Sequence, residues 1–304
     1  MGARAVDTLA EAVPGWAGRV KSVEVLGGGI TNRNFVAEVD GRRYVLRLPG
    51  ERTELLGIDR TREADAARRA GDLGIGPPVV GTLPEVGTLI VELVDGVHLA
   101  PEEFVARLGE VVPLIRRLHR SGPIGGEFPI HRVVEWHARD AAAHGVPAPA
   151  VYDTLHRASL RIEAAFGRAP SAAVPCHNDL LPSNVLFGRD RVWLLDFEYA
   201  GMNDPSFDLG NVAVNCGLTP DAEHRLVEAY WGAWTEARWA RLQLMKVMSE
   251  FREGMWAVVQ QAISTLDEDF ETYATERLGN CERLAESDDF GRWLDEAAGS
   301  VDDR

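Results

Sequence analysis

Apolar residues in this chain mostly follow the two-residue period of strands before residues 94–96, and from Pro101 onward they mostly follow the 3.6-residue period of helices. Before that point, residues 20–26, 34–39 and 44–48 alternate between apolar and polar side chains. The pair Asp40-Gly41 between the last two segments is a hairpin signal. The first part of the chain is therefore predicted to form an antiparallel meander.

The two parts of the chain are predicted to form the two lobes of an α+β fold. Residues 1–95 would be a small antiparallel β-rich lobe (the N-lobe) with one helix, and residues 96–304 a larger, mostly helical lobe (the C-lobe). The further elements that periodicity and breakers predict are helices at 59–72, 104–119, 133–143, 151–166 and 242–266, strands at 79–80 and 89–93, and a buried hairpin around Gly188.

Four polar residues in the C-lobe have the spacing of a kinase catalytic loop. His177 and Asp179 form H-x-D, Asn184 follows five residues later, and Asp196 follows a short apolar strand. Phosphoryl transfer needs one carboxylate to accept the proton of the attacking hydroxyl, and an amide and a second carboxylate to hold Mg²⁺ against the triphosphate. The spacing predicts Asp179 and Asn184 as catalytic residues, and Asn184 and Asp196 as metal ligands.

The segment GGGITNRNF, residues 27–35, lies between two predicted strands. Glycines such as Gly28 and Gly29 let backbone N–H groups approach phosphate oxygens, and Thr31 or Asn32 can add a side-chain donor. Because a strand rather than a helix follows, the segment is not a dinucleotide-binding turn. It is predicted to be a hairpin that covers phosphates.

A cation and a carboxylate complete the predicted nucleotide site. Arg47 lies on the third strand and Glu63 on the helix that follows it. Protein kinases have their phosphate-binding lysine and its partner glutamate at these positions. Arg47 and Glu63 are therefore predicted to pair beside the phosphates.

With these motifs in view, the chain resembles a known family. The strings GGGITNRNF, YVLRLPG, CHNDLLPSNVL, LLDFEYAGMNDPSFDLGN and MWAVVQQAIST are similar to the choline/ethanolamine kinase group of the aminoglycoside-phosphotransferase and kinase-like superfamily. The likeness extends from Gly27 to Tyr273. It implies a bilobal protein-kinase-like fold that binds ATP and Mg²⁺ between its lobes and phosphorylates a small alcohol. It also implies that backbone near Glu92 and Val94 meets adenine.

The resemblance places the acceptor beside the long helix at 242–266. Glu198 and Tyr199 follow the metal-binding motif, and Glu253, Trp256 and Tyr273 lie on or after that helix. Acidic and aromatic groups together suit a small cationic alcohol such as choline or ethanolamine. Choline kinases have W-x-x-W here, and Glu253 replaces the first tryptophan. Ethanolamine, another amino alcohol or an unrelated hydroxylated metabolite therefore stay open as acceptors.

Two other functions stay open at this point. An aminoglycoside or other small-metabolite phosphotransferase would share the catalytic loop, whereas a nucleotide-binding regulatory pseudokinase would not need its complete set of residues. A protein substrate is disfavoured because no A-P-E tripeptide follows Asp196. Asp208, about a dozen residues later, is predicted to fix the catalytic loop as a hydrogen-bond acceptor.

Charge and composition limit the partners. Lys and Arg number 32 against 47 Asp and Glu, a net charge of -15 that would repel nucleic acid. No apolar run reaches the length of a membrane-spanning helix, so no membrane insertion is expected. Three widely spaced cysteines favour a reducing cytoplasm. A homodimer is an open expectation.

Overall fold

The computed structural model describes residues 3–27 and 29–299 of the chain. In the N-lobe, helix α1 (Ala3–Glu11) precedes strands β1 (Val20–Leu26), β2 (Asn32–Val39) and β3 (Arg42–Pro49), helix α2 (Arg60–Asp72), and strands β4 (Val79–Leu83) and β5 (Thr88–Glu92). The five strands form one antiparallel sheet in the order β1-β2-β3-β5-β4. The antiparallel meander predicted from the alternation is confirmed.

Local sequence explains how the sheet turns and what covers it. Asp40 and Gly41 both have positive φ, 50° and 77°, as the tight turn between β2 and β3 requires. Alternate side chains of the sheet reach opposite faces, so Leu46 packs with Ala10 and Trp16 on the α1 side. The other face packs on the alanines of α2. The Asp59 carboxylate caps α2 by accepting from the backbone N–H groups of residues 61 and 62.

The C-lobe is mostly helical. Its helices are α3 (Pro101–Ala106), α4 (Leu108–His119), α5 (Ile130–Ala143), α6 (Tyr152–Arg168), α7 (Pro205–Asn215), α8 (Pro220–Trp231), α9 (Glu236–Ile263), α10 (Phe270–Ala285) and α11 (Phe290–Glu296). Two short antiparallel pairs lie among them, β6 (Val174–Cys176) with β9 (Gly201–Asn203), and β7 (Val185–Phe187) with β8 (Val192–Leu194). The long helix α9 packs against α5, α7, α10 and α11, and its middle is buried. The predicted fold class is confirmed, whereas the lobe limits 1–95 and 96–304 stay a prediction.

One local prediction differs from the structure, and two elements of the structure have no counterpart among the predictions. The single helix predicted at 104–119 is interrupted at Arg107, which leaves helical geometry with φ -104° and ψ 13°. The guanidinium of Arg107 lies 4.5 Å from the centre of the Phe187 ring, a tertiary contact that periodicity cannot show. The two elements without a counterpart are helix α1 and the β6–β9 pair, whose three-residue strands carry too few positions for a pattern. No helix in the described ranges is both long and apolar enough to cross a membrane.

Candidate active site

The catalytic loop is held in place by a carboxylate beneath it. Asp208 on α7 accepts the backbone N–H of His177 at 2.8 Å and that of Asn178 at 2.7 Å. It also accepts a bond from His119 on α4 at 2.8 Å. Burial raises the pKa of Asp208, but these hydrogen bonds and the His119 ring outweigh it, so the pKa is lowered overall. The predicted role of Asp208 as the acceptor that fixes this loop is confirmed.

Asp179 is the buried centre of the candidate site. It is 7% exposed, and it follows Asn178, whose φ of 63° is a strained value that functional loops often retain. One of its oxygens accepts Nη1 of Arg252 at 2.9 Å and the other accepts Nδ2 of Asn184 at 3.1 Å. Burial raises the pKa of Asp179 to about 6, against the opposing charge of Arg252. A carboxylate with such a pKa is well suited to accept a proton near neutral pH.

Asn184 and Asp196 present oxygens to the same cleft. The Asn184 amide nitrogen is used by Asp179, while no hydrogen bond from a described residue reaches its Oδ1. Asp196 follows β8 with a left-handed φ of 63°, and its side chain is 23% exposed. Amide and carboxylate oxygens are the ligands that Mg²⁺ prefers, so this donor set fits the metal that the sequence predicts.

The predicted pair of Arg47 and Glu63 is present and extends to Asp196. Nη2 of Arg47 lies 3.4 Å from Glu63 Oε1 and forms a short ion pair with the Asp196 carboxylate. Burial lowers the pKa of Arg47, and the charges of Asp196 and Glu63 more than reverse this, so the guanidinium stays charged. A cation from β3 thus lies against the candidate metal ligand of the C-lobe.

Thr31 and Asn32 contact the C-lobe through Glu198. Thr31 Oγ1 donates to one Glu198 oxygen at 2.7 Å, and Asn32 Nδ2 donates to the other at 2.9 Å. Arg60 adds a contact of 3.3 Å. Burial, together with the Asp196 and Glu63 charges, raises the pKa of Glu198 to about 8. The phosphate role of Thr31 and Asn32 and the acceptor role of Glu198 stay predictions.

The remaining residues predicted for the nucleotide lie in the β1–β2 turn, at the end of β5 and just after β5. Gly29 has a φ of +97°, and a Cβ there would come within 2.9 Å of the Asn32 carbonyl oxygen. Gly28 lies outside the described residues. The backbone N–H of Glu92 donates to Pro78 O at 2.9 Å, so this N–H is not available to a base. Val94 is half-buried just beyond the end of β5.

Three aromatic residues and one carboxylate predicted for the acceptor form one cluster. Trp256 Nε1 donates to Tyr199 OH at 3.0 Å, and Tyr273 OH donates to Glu253 at 3.1 Å. The Trp256 and Tyr273 rings meet edge to face, with centroids 6.3 Å apart. The structure therefore brings together Tyr199, Glu253, Trp256 and Tyr273.

Arg252 joins this cluster to Asp179 and was not predicted. It is 1% exposed, and its Nη1 donates to both Asp179 and Glu253. Its guanidinium carbon lies 4.3 Å from the centre of the Tyr199 ring. The signal in the sequence was a charged pair, Arg252-Glu253, in the middle of the amphipathic helix predicted at 242–266. Buried charges in such a position are rare unless they are paired.

The sequence profile of the phosphotransferase enzyme family matches residues 22–245. The chain belongs to this family and is a phosphotransferase. Its relatives include ethanolamine kinases and LicA proteins. It is 29% identical to ethanolamine kinase 2 of Mus musculus over 90% of this chain and 79% of that protein. It is 28% identical to the LicA protein of Haemophilus influenzae over 85% of this chain and 78% of that protein.

A solved structure is also similar to this chain in fold and sequence. A choline/ethanolamine kinase family protein from Mesorhizobium loti superimposes with a TM-score of 0.83 and 30% sequence identity, covering 97% of this chain and 98% of the other. The resemblance recognised in the sequence motifs is confirmed.

Proposed function

We propose that this enzyme transfers the γ-phosphoryl group of ATP, with Mg²⁺, to the hydroxyl of choline, ethanolamine or a related amino alcohol. The observation that carries the proposal is the position of Asp179. Its carboxylate touches the candidate metal ligand Asn184 on one side and, through Arg252, the acidic and aromatic acceptor cluster on the other. A base between a metal site and a pocket for a cation is what this reaction requires.

Asp179 would accept the proton of the acceptor hydroxyl as its oxygen attacks phosphorus. The bond from the γ-phosphorus to the bridging oxygen breaks as the new P–O bond forms, and ADP leaves. Bound Mg²⁺, held by Asn184 and Asp196, would supply positive charge to the phosphate oxygens. Arg47 would donate to the same phosphates. Because it now pairs with Asp196, nucleotide binding would exchange that contact for one with phosphate.

The acidic and aromatic cluster explains why the proposed acceptor carries a positively charged ammonium group. Aromatic rings attract an ammonium group, and here Tyr199 and Tyr273 already contact arginines while Trp256 does not, so Trp256 and the Glu253 carboxylate would supply most of the attraction. All four residues are buried or half-buried, so the attraction is less screened than at the surface. Cytoplasmic residence and a homodimer stay predictions of the sequence.

An ADP-release screen of the purified protein tests this function. The panel contains choline, ethanolamine, other amino alcohols, aminoglycosides and neutral sugar alcohols, each with Mg-ATP. We expect ADP release that depends on a small amino alcohol and is lost in Asp179→Asn. A neutral sugar alcohol or an aminoglycoside as the best acceptor would contradict the proposed substrate class, and ADP release without any alcohol would contradict the reaction.

A further inference from the structure

Arg252 has donors that the protein does not use. Both of its recorded hydrogen bonds leave from one nitrogen, Nη1, which serves Asp179 and Glu253 together. Its Nε and Nη2 are buried and have no hydrogen-bond partner among the described residues. The contact with the Tyr199 ring is with a π face and supplies no oxygen acceptor.

An unsatisfied buried guanidinium edge is unusual. A guanidinium has five N–H donors, and each donor that is removed from water without an acceptor destabilises the folded protein. The edge formed by Nε and Nη2 matches the two oxygens of a carboxylate, which it binds with two parallel hydrogen bonds. A ligand oxygen at this edge would remove the cost, while Nη1 kept its present partners.

The charged side chains around Arg252 each suit a different chemical group of the acceptor. Asp179 binds the hydroxyl in the proposed reaction, and Glu253 with the aromatic rings binds an ammonium group. Arg252 is the cation that contacts both of these carboxylates. An anionic group of the acceptor would meet it within a few bonds of the hydroxyl, because Nη1 lies only 2.9 Å from Asp179.

We propose that Arg252 binds a carboxylate of the acceptor, so that among amino alcohols the enzyme prefers one that also carries a carboxylate, a small hydroxy amino acid. This inference rests on the proposed phosphoryl transfer to a cationic alcohol. The hydroxyl lies at Asp179, the ammonium at Glu253 and the rings, and the carboxylate at the Nε–Nη2 edge of Arg252. The proton of the hydroxyl passes to Asp179 as the phosphate ester forms.

Matched acceptors that differ only by a carboxylate test the inference. L-Serine is ethanolamine with a carboxylate, and L-homoserine is 3-amino-1-propanol with one. We expect the wild-type enzyme to have at least a tenfold higher kcat/KM for the carboxylated member of one pair or both. If both amino alcohols equal or exceed their carboxylated partners, the inference is wrong and the proposed function stands. If no member of either pair, nor choline, is phosphorylated, the proposed function itself is wrong.

Variants then assign the preference to Arg252. Arg252→Lys keeps the positive charge beside Asp179 and Glu253 but has no bidentate edge. It is expected to lose most of the preference, because KM for the carboxylated acceptor should rise several-fold more than KM for the matching amino alcohol. Arg225→Met, an exposed arginine on α8, is the matched control and should keep the wild-type ratio. An unchanged ratio in Arg252→Lys would overturn the assignment.

Discussion

Asp179 and Arg252 show how one side chain sets the environment of another. Without Arg252, the buried Asp179 carboxylate would have only the neutral Asn184 amide as a side-chain hydrogen-bond donor among the described residues. Burial favours the protonated form of Asp179, and the guanidinium opposes it. The base is thus kept ionised enough to accept a proton although it is shielded from water.

Replacing Asp179 by Asn should lower kcat by about 10²- to 10⁴-fold while nucleotide affinity changes little. The amide keeps the shape of the side chain but cannot accept the hydroxyl proton. Steady-state kinetics and calorimetry with Mg-ADP measure the two effects. Asp190→Asn, in the exposed turn between β7 and β8, is the control and should remain fully active. Full activity of Asp179→Asn would remove the carboxylate from the mechanism.

Among the individual residues, the sequence predicted those that form a motif with a fixed spacing along the chain. Asp179, Asn184 and Asp196 lie on one short loop and the adjoining hairpin, so their separation in sequence nearly determines their separation in space. Arg252 comes from a helix about 70 residues later. Its contact with Asp179 depends on how α9 packs against the loop, which no local pattern encodes.

The hairpin β1–β2, which is predicted to cover phosphates, also makes hydrogen bonds to the C-lobe. Its end carries Thr31 and Asn32, and both donate to Glu198 of the C-lobe. The glycine-rich turn before them is therefore tied across the cleft. Its backbone geometry is set by Gly29, whose positive φ other residues rarely adopt.

Gly29→Ala should weaken nucleotide binding by about tenfold, or about 1.4 kcal/mol. A Cβ there would lie 2.9 Å from the Asn32 carbonyl oxygen, so the turn must shift. Gly41→Ala is the matched control, because Gly41 also has positive φ but no atom within 4 Å of the added Cβ. We expect it to cost stability, about 1 kcal/mol, and leave calorimetric nucleotide affinity unchanged. Equal affinities in both variants would contradict this account of the turn.

Helix α5 carries a buried histidine that couples stability to pH. His137 is 2% exposed, and the main chain of Leu56 lies beside its ring. Burial, with the charge of Arg252, lowers its pKa to about 3. In the unfolded chain the pKa would be about 6.5. The unfolded state therefore binds the extra proton between these values, and stability falls as the pH falls below about 6.5.

His137→Leu should reduce this pH dependence. The wild-type free energy of unfolding should fall more steeply with decreasing pH, by about 1.4 kcal/mol per unit between pH 5.5 and 4, than that of the variant. Urea titrations at several pH values in this range measure both slopes. Parallel slopes would show that His137 is not neutral in the folded state.

Elements with many residues in a period were the ones that the sequence predicted well. The alternation of β2 and β3 and the long apolar pattern of α9 are examples. The sequence did not predict the break at Arg107 or the strands β6 and β9. Each is too short to produce a periodic pattern, and each depends on tertiary contacts.

The whole molecule is organised around the contact between its lobes. Arg47 and Glu63 of the N-lobe and Asp196 of the C-lobe form one ionic network, and Glu198 adds the hydrogen bonds to β2. A ligand that binds in this cleft contacts both lobes, so it should stabilise the molecule as a whole. At a free ligand concentration of one hundred times Kd, the free energy of unfolding should rise by about 2.7 kcal/mol.

Asp196→Ala should remove the part of this stabilisation that depends on Mg²⁺. Thermal unfolding is compared with ADP plus Mg²⁺ and with ADP plus a chelator. The wild type and the control Asp190→Ala should show a higher Tm with Mg²⁺, and Asp196→Ala should show almost none of this difference. The same Mg²⁺-dependent rise in Tm in all three proteins would exclude Asp196 as a ligand.

The central claim is that the cleft between the lobes transfers a phosphoryl group to a small cationic alcohol, and ³¹P NMR of the reaction tests it most directly. The purified enzyme is mixed with Mg-ATP and with the acceptor that the screen identifies. The account predicts one phosphomonoester signal that grows in equal amount with ADP and is nearly absent with Asp179→Asn. Formation of inorganic phosphate in place of the ester, or an ester formed equally fast by Asp179→Asn, would contradict it.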